Sequence, residues 1–432
     1  MKPLTLLLAL PLLAQEPPPL LSQDPAAQAD PDAAGSSRFR FRFRRRPSLR
    51  IGNILRVDFR VKIQTDFRGV SPDRETDEGL FHVNRARVGV EGRFLRDFEY
   101  EIEREVRDVP NPWRDVFVNY RGLRDFQIQA GKFKVPFGMD QLTGPTNLDF
   151  IHRSLIGSQL APARDIGIMV HGRFFERGLN YQAGLFREDG ENTRPDVLQD
   201  DRESRSAERT FAGRLTGTPL RLLPVPGILK DWEIGGAFTS STVPEGLKGF
   251  RGRTASRENI FRSYFVHGQR LRVGLESAWT PGPFSLKGEF IHARDQRIGQ
   301  GRRLEDLPDV IARGWYASGT WLVTGERKVT GLDPNKNFIF GGGLGAVELA
   351  TRYEQLRFGS SEHPGLPLRH NRAANILSQS DRVWTWGVNW YLNPYAKVQA
   401  NAVREKVEDI QRAPLETKNR YWMWMVRLQF VM

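Results

Sequence analysis

Leu55-Arg56-Val57-Asp58-Phe59-Arg60-Val61-Lys62-Ile63-Gln64-Thr65-Asp66-Phe67 alternates apolar and polar residues almost without a break. Successive side chains of a strand point to opposite faces, so one face of this segment wants lipid or core and the other wants water. Apolar-out, polar-in segments about ten residues long are the signature of a membrane β-barrel. Similar segments recur to the last residues of the chain and make about sixteen strands. The connections between them tend to alternate. Leu95-Arg96-Asp97, Thr280-Pro281-Gly282-Pro283 and Asn393-Pro394-Tyr395-Ala396 are tight turns, whereas 187–209, 242–262, 293–311 and 359–381 are long and polar. Short periplasmic turns and long outer loops produce that pattern in outer-membrane barrels. Two long connections, near 218–230 and 324–345, fall on the short side.

With the first strand running outward, Trp113, Trp315, Trp384, Trp422 and Trp424 fall at outer strand ends and Trp232, Trp279, Trp321 and Trp390 at periplasmic ends. Aromatic girdles belong at both interfaces. A soluble propeller or multi-sandwich protein would also show many strands, but it need not sort its tryptophans this way. The expected fold is therefore all-β, a sixteen-stranded antiparallel transmembrane β-barrel.

The start of the chain agrees with export. Lys2, the apolar run Leu4 to Leu13 and Ala14 read as a signal peptide over residues 1–14, too short to span a bilayer as a helix. Residues 15–50 read as a flexible periplasmic tail, rich in Pro, Ala, Asp, Gln and Ser up to residue 37, then basic in Arg38-Phe39-Arg40-Phe41-Arg42-Phe43-Arg44-Arg45-Arg46. That arm suits a solvated basic segment, or contact with anionic lipid or nucleic acid phosphates. Residues 51–432 are the expected barrel.

The 432 residues carry a net charge of +13 and no cysteine. The charge favours anionic partners, and the lack of cysteine removes disulfide and thiolate chemistry. Seven histidines form no metal-binding spacing and His152-Arg153-Ser154 is no triad, so no catalytic residue, cofactor or metal is expected. Gly341-Gly342-Gly343 does not fit a phosphate-binding loop.

Between strand-like stretches ending near Lys134 and resuming at Asp165 lies a connection of roughly thirty residues, unusually long for a structureless loop. It carries Leu142, Leu148, Phe150, Ile151, Leu155, Ile156 and Leu160, enough apolar surface to fold back onto something. The expectation is that this third loop folds into the lumen and narrows it, with Lys132, Lys134, Arg153 and Arg164 near the narrowest point. The alternative is a surface loop packed on itself.

Arg or Lys on the lipid face near the midplane costs roughly 2–4 kcal/mol, so strand cations should point inward. Arg56, Arg60, Lys62, Arg85, Arg87, Arg93, Arg173, Arg270, Arg272, Lys287, Arg352 and Arg427 obey the alternation, and Arg104 does not. Folding the hairpin about Leu95–Asp97 sets Arg93 opposite Glu99 and Arg87 opposite Glu105, so much of that wall should neutralise itself. The unpaired excess would select anions, because rings of Arg and Lys do so in anion and phosphate pores.

Several stretches resemble the phosphate-selective porin O and P family of Gram-negative outer membranes: Lys134-Val135-Pro136-Phe137-Gly138, Gly314-Trp315-Tyr316-Ala317-Ser318-Gly319 through Leu322-Val323-Thr324-Gly325-Glu326, Asn389-Trp390-Tyr391-Leu392-Asn393-Pro394, and Arg427-Leu428-Gln429-Phe430. The resemblance implies a sixteen-stranded, trimeric outer-membrane porin whose third loop enters the channel. It also implies an arginine ladder and a constriction lysine that select anions, and a long connection near 324–345. The chain departs from the pattern in ending on Met432 rather than an aromatic and in carrying the basic arm. The expected function is facilitated diffusion of small anions, phosphate or polyphosphate foremost. Expected partners are that solute, outer-membrane lipid and lipopolysaccharide, and two further copies of the chain, with no nucleic acid. The alternatives are a general or oligosaccharide-permeable porin, or a structural anchor acting through the basic arm.

Overall fold

The computed structural model describes residues 39–43, 45–71, 81–123, 125–175, 178–190, 207–338, 341–361, 365–413 and 418–432. The expected signal peptide and the tail up to residue 38 lie outside the described residues. Of the stretch read as a tail, β1 (Phe39–Phe43) and β2 (Pro47–Ile51) form a hairpin. The stretch read as a basic arm for its charge has the alternation of a strand.

Sixteen further strands close into a ring. These are β3 (Leu55–Ser71), β4 (Phe81–Phe94), β5 (Phe98–Glu105), β6 (Trp113–Tyr120), β7 (Gln127–Lys134), β8 (Arg164–Phe174), β9 (Leu179–Glu188), β10 (Glu208–Gly217) and β11 (Glu233–Leu247). After a small pair, β12 (Gly252–Arg253) and β13 (Asn259–Phe261), follow β14 (Phe265–Trp279), β15 (Phe284–Arg297), β16 (Leu307–Leu322), β17 (Ala346–Ser360), β18 (Gln379–Tyr391), β19 (Ala396–Val407) and β20 (Arg420–Val431). Every neighbouring pair is antiparallel, and β20 returns to β3 from Trp422↔Ser71 to Val431↔Lys62. Closure leaves no exposed edge in the ring, the condition for a sheet to sit in lipid.

Alternation decides which side chain faces where. Phe59, Ile63 and Phe67 are exposed, while Asp58, Arg60, Lys62, Gln64 and Asp66 between them are buried. The polar face is thus the enclosed one. Leu55, the turn at Leu95–Asp97 and Val431 share one end. At that end Phe94 stacks on Phe98 at 4.9 Å, Phe284 on Trp321 at 6.0 Å, and Phe338 meets Trp390 at 4.8 Å. Toward the other end Trp384, Trp386, Trp422 and Trp424 stack in sequence at 5.6–5.9 Å. Trp315 and Trp384 are not at strand ends: β16 begins at Leu307 and β18 at Gln379, earlier than alternation alone suggests, which puts both near mid-strand.

The wall also has a repeated close-approach device. Tyr100 faces Gly92 in register and donates its hydroxyl to the Arg56 carbonyl at 3.0 Å, and Tyr181 faces Gly172 and donates to the Asp125 carbonyl at 2.9 Å. In each case the ring crosses the glycine to reach a carbonyl beyond it, in β3 for Tyr100 and just before β7 for Tyr181. A Cβ on Gly92 would stand 1.8 Å from the Arg56 carbonyl oxygen, and one on Gly172 1.8 Å from that of Asp125. Gly92→Ala is expected to lower stability by about 1–3 kcal/mol through overpacking, read as a lower temperature for the loss of folded-barrel mobility on gels.

Candidate permeation pathway

The strand-borne cations are set by register, and most are paired with carboxylates on the same face. Arg87 opposes Glu105 and Arg93 opposes Glu99, as the hairpin arithmetic requires, with N···O distances of 3.1 and 3.2 Å. Arg60 bridges Glu91 at 2.5 Å and Glu101 at 2.6 Å, Lys62 bonds Glu103, and Arg56 meets Asp58 at 2.7 Å. Arg164 grips Asp115 through two nitrogens, the shortest contact being 2.6 Å. Arg270 and Arg272 share Asp189 at 2.9 and 3.0 Å, and Arg270 also holds Asp295.

These residues do not form one cluster. Arg56 and Arg173 lie near the short-turn rim, and Arg270 and Arg272 lie toward the opposite mouth. Arg60, Lys62, Arg85, Arg87, Lys132, Lys134, Arg153 and Arg164 share the mid-wall of β3–β8 with the start and end of the long loop.

The loop starts where Gly138, at φ 77°, turns the chain out of Val135-Pro136-Phe137. It contains two short helices, α1 (Met139–Leu142) and α2 (Leu155–Gln159). Its apolar residues Phe137, Ile151, Leu155, Ile156 and Leu160 join a buried cluster with Tyr316, Leu356, Val383, Val403, Met423 and Met425 of the strands. Its backbone is bonded to side chains of the polar faces. Gln64 donates to the Pro145 carbonyl at 3.1 Å, Lys397 to those of Thr146 and Leu148 at 3.1 and 3.2 Å, and Asn389 to that of Asp149 at 2.9 Å. Asn401 accepts from the Ile151 N–H at 2.8 Å and Glu354 from that of Leu155 at 2.5 Å.

Lys134 and Arg153 hold the loop's own shape. Lys134 donates to the carbonyls of Gln141 (2.9 Å), Leu142 (2.8 Å) and Thr143 (3.0 Å), groups a helix end leaves orphaned. Arg153 donates to the carbonyls of Asp140 and Thr143, the latter at 2.7 Å. Lys132 and Arg85 are different. Lys132 makes no hydrogen bond or ion pair among the described residues, with Arg114 and Arg164 as its charged neighbours together with Asp165 and Asp115. Among the described residues Arg85 makes one side-chain hydrogen bond, to Gln64 at 2.6 Å, and lies among Arg427, Arg87 and Arg153, with Asp66 as its acidic neighbour.

Sequence reading missed the strongest anchor. Asp149 is buried between Lys287 at 2.8 Å and Lys328 at 2.7 Å, and Lys328 also bonds Glu348. Burial opposes the charge on Asp149, but the two ammonium groups outweigh it and hold its carboxyl well below the usual range. Burial likewise opposes the charge on Lys328, yet Asp149 with Tyr391 and Glu348 raises its pKa well above the usual value. The available signal was Asp149 itself, a lone acid inside the apolar run Leu148 to Ile151. Lys328 gave none: its connection stands out for its length, but nothing in it marks this lysine from the other charged residues there. His152 is also buried, and burial together with Arg352 lowers its pKa despite Glu354 3.7 Å away.

A family model described as phosphate-selective porin O and P matches residues 56–432. The chain is 27% identical over 393 residues to Porin O of Pseudomonas aeruginosa, covering 84% of each protein. Among solved structures, the anion-selective porin from Comamonas acidovorans superposes with a TM-score of 0.51 at 12% identity, over 87% of this chain and 99% of that one. The outer membrane channel DcaP of Acinetobacter baumannii gives 0.54 at 7% identity, over 88% and 97%; at such identities the likeness is one of fold. The barrel is a channel rather than an enzyme and lies in the outer membrane of a Gram-negative bacterium. With most of its length matched, the chain belongs to the phosphate-selective porin O and P family.

Proposed function

We propose that the chain is an anion-selective porin for phosphate-like solutes, working as a homotrimer set in lipid and lipopolysaccharide, with the segment 135–163 folded into the lumen as its constriction. The observation that carries the selectivity is that two mid-wall cations, Lys132 and Arg85, make no ion pair among the described residues and, unlike Lys134, are not bonded to the loop's carbonyls. An anion passing them exchanges hydration water for ammonium and guanidinium donors. Arg85 offers phosphate a forked set of N–H groups. Passage requires sites weak enough to leave, and two separated cations meet that need better than a closed cage. The paired cations of β3–β5 supply a stiff, nearly neutral wall.

The family description and the relatives' names support this reading. The density of ion pairs on the same wall favours the runner-up, a general or oligosaccharide-permeable porin with little selectivity.

Reversal potentials of the purified protein in planar bilayers across a potassium chloride gradient decide between them. Strong anion preference, with chloride current blocked by added phosphate, is expected. Lys132→Ala and Arg85→Ala should each lower the anion-to-cation permeability ratio several-fold. A weakly selective conductance unaffected by phosphate overturns the proposal in favour of the general porin.

A further inference from the structure

The β1–β2 hairpin is left unexplained by permeation. It occupies a defined place in the wall. β20 pairs with residues 62–71 of β3 and Met432 bonds Val61, and β2 takes the remainder, from Ser48↔Asp58 to Ile51↔Leu55, so that it stands directly beneath the end of β20. It is tied there by Ser48 to Asp58, by Arg46 to Glu91 at 2.6 Å, and by Arg45 to Asp333 at 2.5 Å.

Register then assigns the faces. Phe41 opposes Leu49, which opposes Val57, and Phe39 opposes Ile51, which opposes Leu55. The phenylalanines therefore continue the outer, apolar face that carries Phe59 and Ile63. Arg40 opposes Arg50, which opposes Arg56, and Arg42 opposes Ser48, which opposes Asp58. The arginines lie on the polar side at the short-turn mouth, where Arg40 and Arg42 are exposed. Phe39, Phe41 and Phe43 are 67%, 65% and 60% exposed, far more than Phe59 at 42% in the adjoining strand.

We infer that this hairpin is a membrane-seating extension of the barrel wall. Its three phenylalanines sit in the headgroup–acyl boundary of the periplasmic leaflet, and its arginines face water at the periplasmic mouth. The occupant of the apolar face is phospholipid, because the face is continuous with the lipid-facing surface of β3 and lies at the end where Phe94, Phe98, Trp321 and Trp390 form the aromatic girdle. At the seam between β20 and β3, Phe39, Phe41 and Phe43 extend that girdle below Phe430. Interfacial seating also protects β1, whose outer edge would otherwise be a free template for strand addition.

The chain has no cysteine, so single-cysteine variants at each position from 39 to 43 can carry a nitroxide in the full-length protein. The labelled barrels are reconstituted in phosphatidylethanolamine–phosphatidylglycerol vesicles, and collision with oxygen is compared with collision with a water-soluble nickel chelate. Phe59→Cys sets the lipid value, and heat-dependent gel mobility reports folding of each labelled chain. The expected result alternates with period two: oxygen dominates at 39, 41 and 43, and nickel at 40 and 42. Equal nickel access at all five positions overturns the inference, since the hairpin would then stand free in the periplasm. Exclusion of both reagents at the phenylalanines overturns it too, by showing a protein, such as a second copy, on that face. If only Phe39→Cys and Phe43→Cys fold, loss of the oxygen preference at both is decisive by itself.

Discussion

Replacing Asp149 by alanine is expected to remove about 3–5 kcal/mol of stability, the usual result of taking one partner from a buried ion pair, and to raise single-channel conductance several-fold. Asp149 is the point at which the long loop, β15 and the 323–345 connection meet: its carboxylate holds Lys287 and Lys328, and its carbonyl accepts from Asn389. Alanine leaves two ammonium groups facing each other with only Glu348 to share, and the loop loses its central tether. The acid and alkaline limits of stability should move as well. The folded-state pKa of Asp149 is depressed, so its contribution is complete above the unfolded carboxyl value near 4 and is lost as pH falls below that toward the folded value. Lys328 has a raised pKa, so its contribution is complete below the unfolded ammonium value near 10.4 and is lost only as pH climbs toward the higher folded value. The wild type should therefore hold a plateau across neutral pH, and Asp149→Ala should flatten the fall at both ends. Heat-dependent gel mobility across pH, with planar-bilayer conductance, reads both effects. Unchanged conductance with normal thermal stability would show that the loop is held in place without this cluster.

What could be read in the sequence follows from how local each determinant is. Alternation at Leu55–Phe67 sets both faces of β3 without help from any other strand, and the three-residue turn at Leu95–Asp97 fixes the Arg87–Glu105 and Arg93–Glu99 pairs by counting alone. The duties of Lys134 and Arg153 could not be counted in this way. Lys134 leads into the loop and Arg153 lies within it, and their donors turn to the carbonyls at the end of α1, which only the folded loop brings within reach. The polar-inside rule also fails locally. Val383, Val403, Met423 and Met425 are enclosed yet apolar, in one buried cluster with Leu155 and Ile156 of α2 and Phe261 of β13, and alternation in β18–β20 cannot reveal what covers a face. The Phe39–Phe43 stretch misled in the opposite direction: its charge suggested a tail, while its period was that of the strand it forms. Lys132 and Arg85 look like every other wall cation in the sequence, because the lack of an ion pair among the described residues is a property of the neighbouring strands.

Glu405→Gln should do the reverse of Asp149→Ala and stabilise the barrel. Asp381 and Glu405 are 0% and 1% exposed, yet neither has an arginine or lysine in ion-pair contact among the described residues. Glu405 pairs in register with Val383 and Asp381 with Val407, so the two acids are diagonal neighbours on the enclosed face of β18 and β19. Glu405 Oε1 accepts from the Ala255 N–H at 2.8 Å and the Glu405 carboxyl also faces the Asp381 carboxyl and the Tyr421 hydroxyl, while among the described residues no side-chain N–H donates to either Asp381 oxygen or to Glu405 Oε2. Two acids enclosed together without a cation cannot both be ionised cheaply. An amide at 405 removes one charge, keeps an acceptor for Ala255 and supplies N–H groups to Asp381, for an expected gain of about 1–3 kcal/mol, the cost usually attached to an unsatisfied buried acceptor. Glu354 on β17 is the control. It is as deeply buried but bonded to Arg352 at 2.9 Å and to the Leu155 N–H, so Glu354→Gln should destabilise. Opposite shifts in the temperature at which the two variants lose folded-barrel mobility are the expected result. A fall for Glu405→Gln as large as that for Glu354→Gln would mean that its carboxylate has a role in the folded barrel that these contacts do not account for.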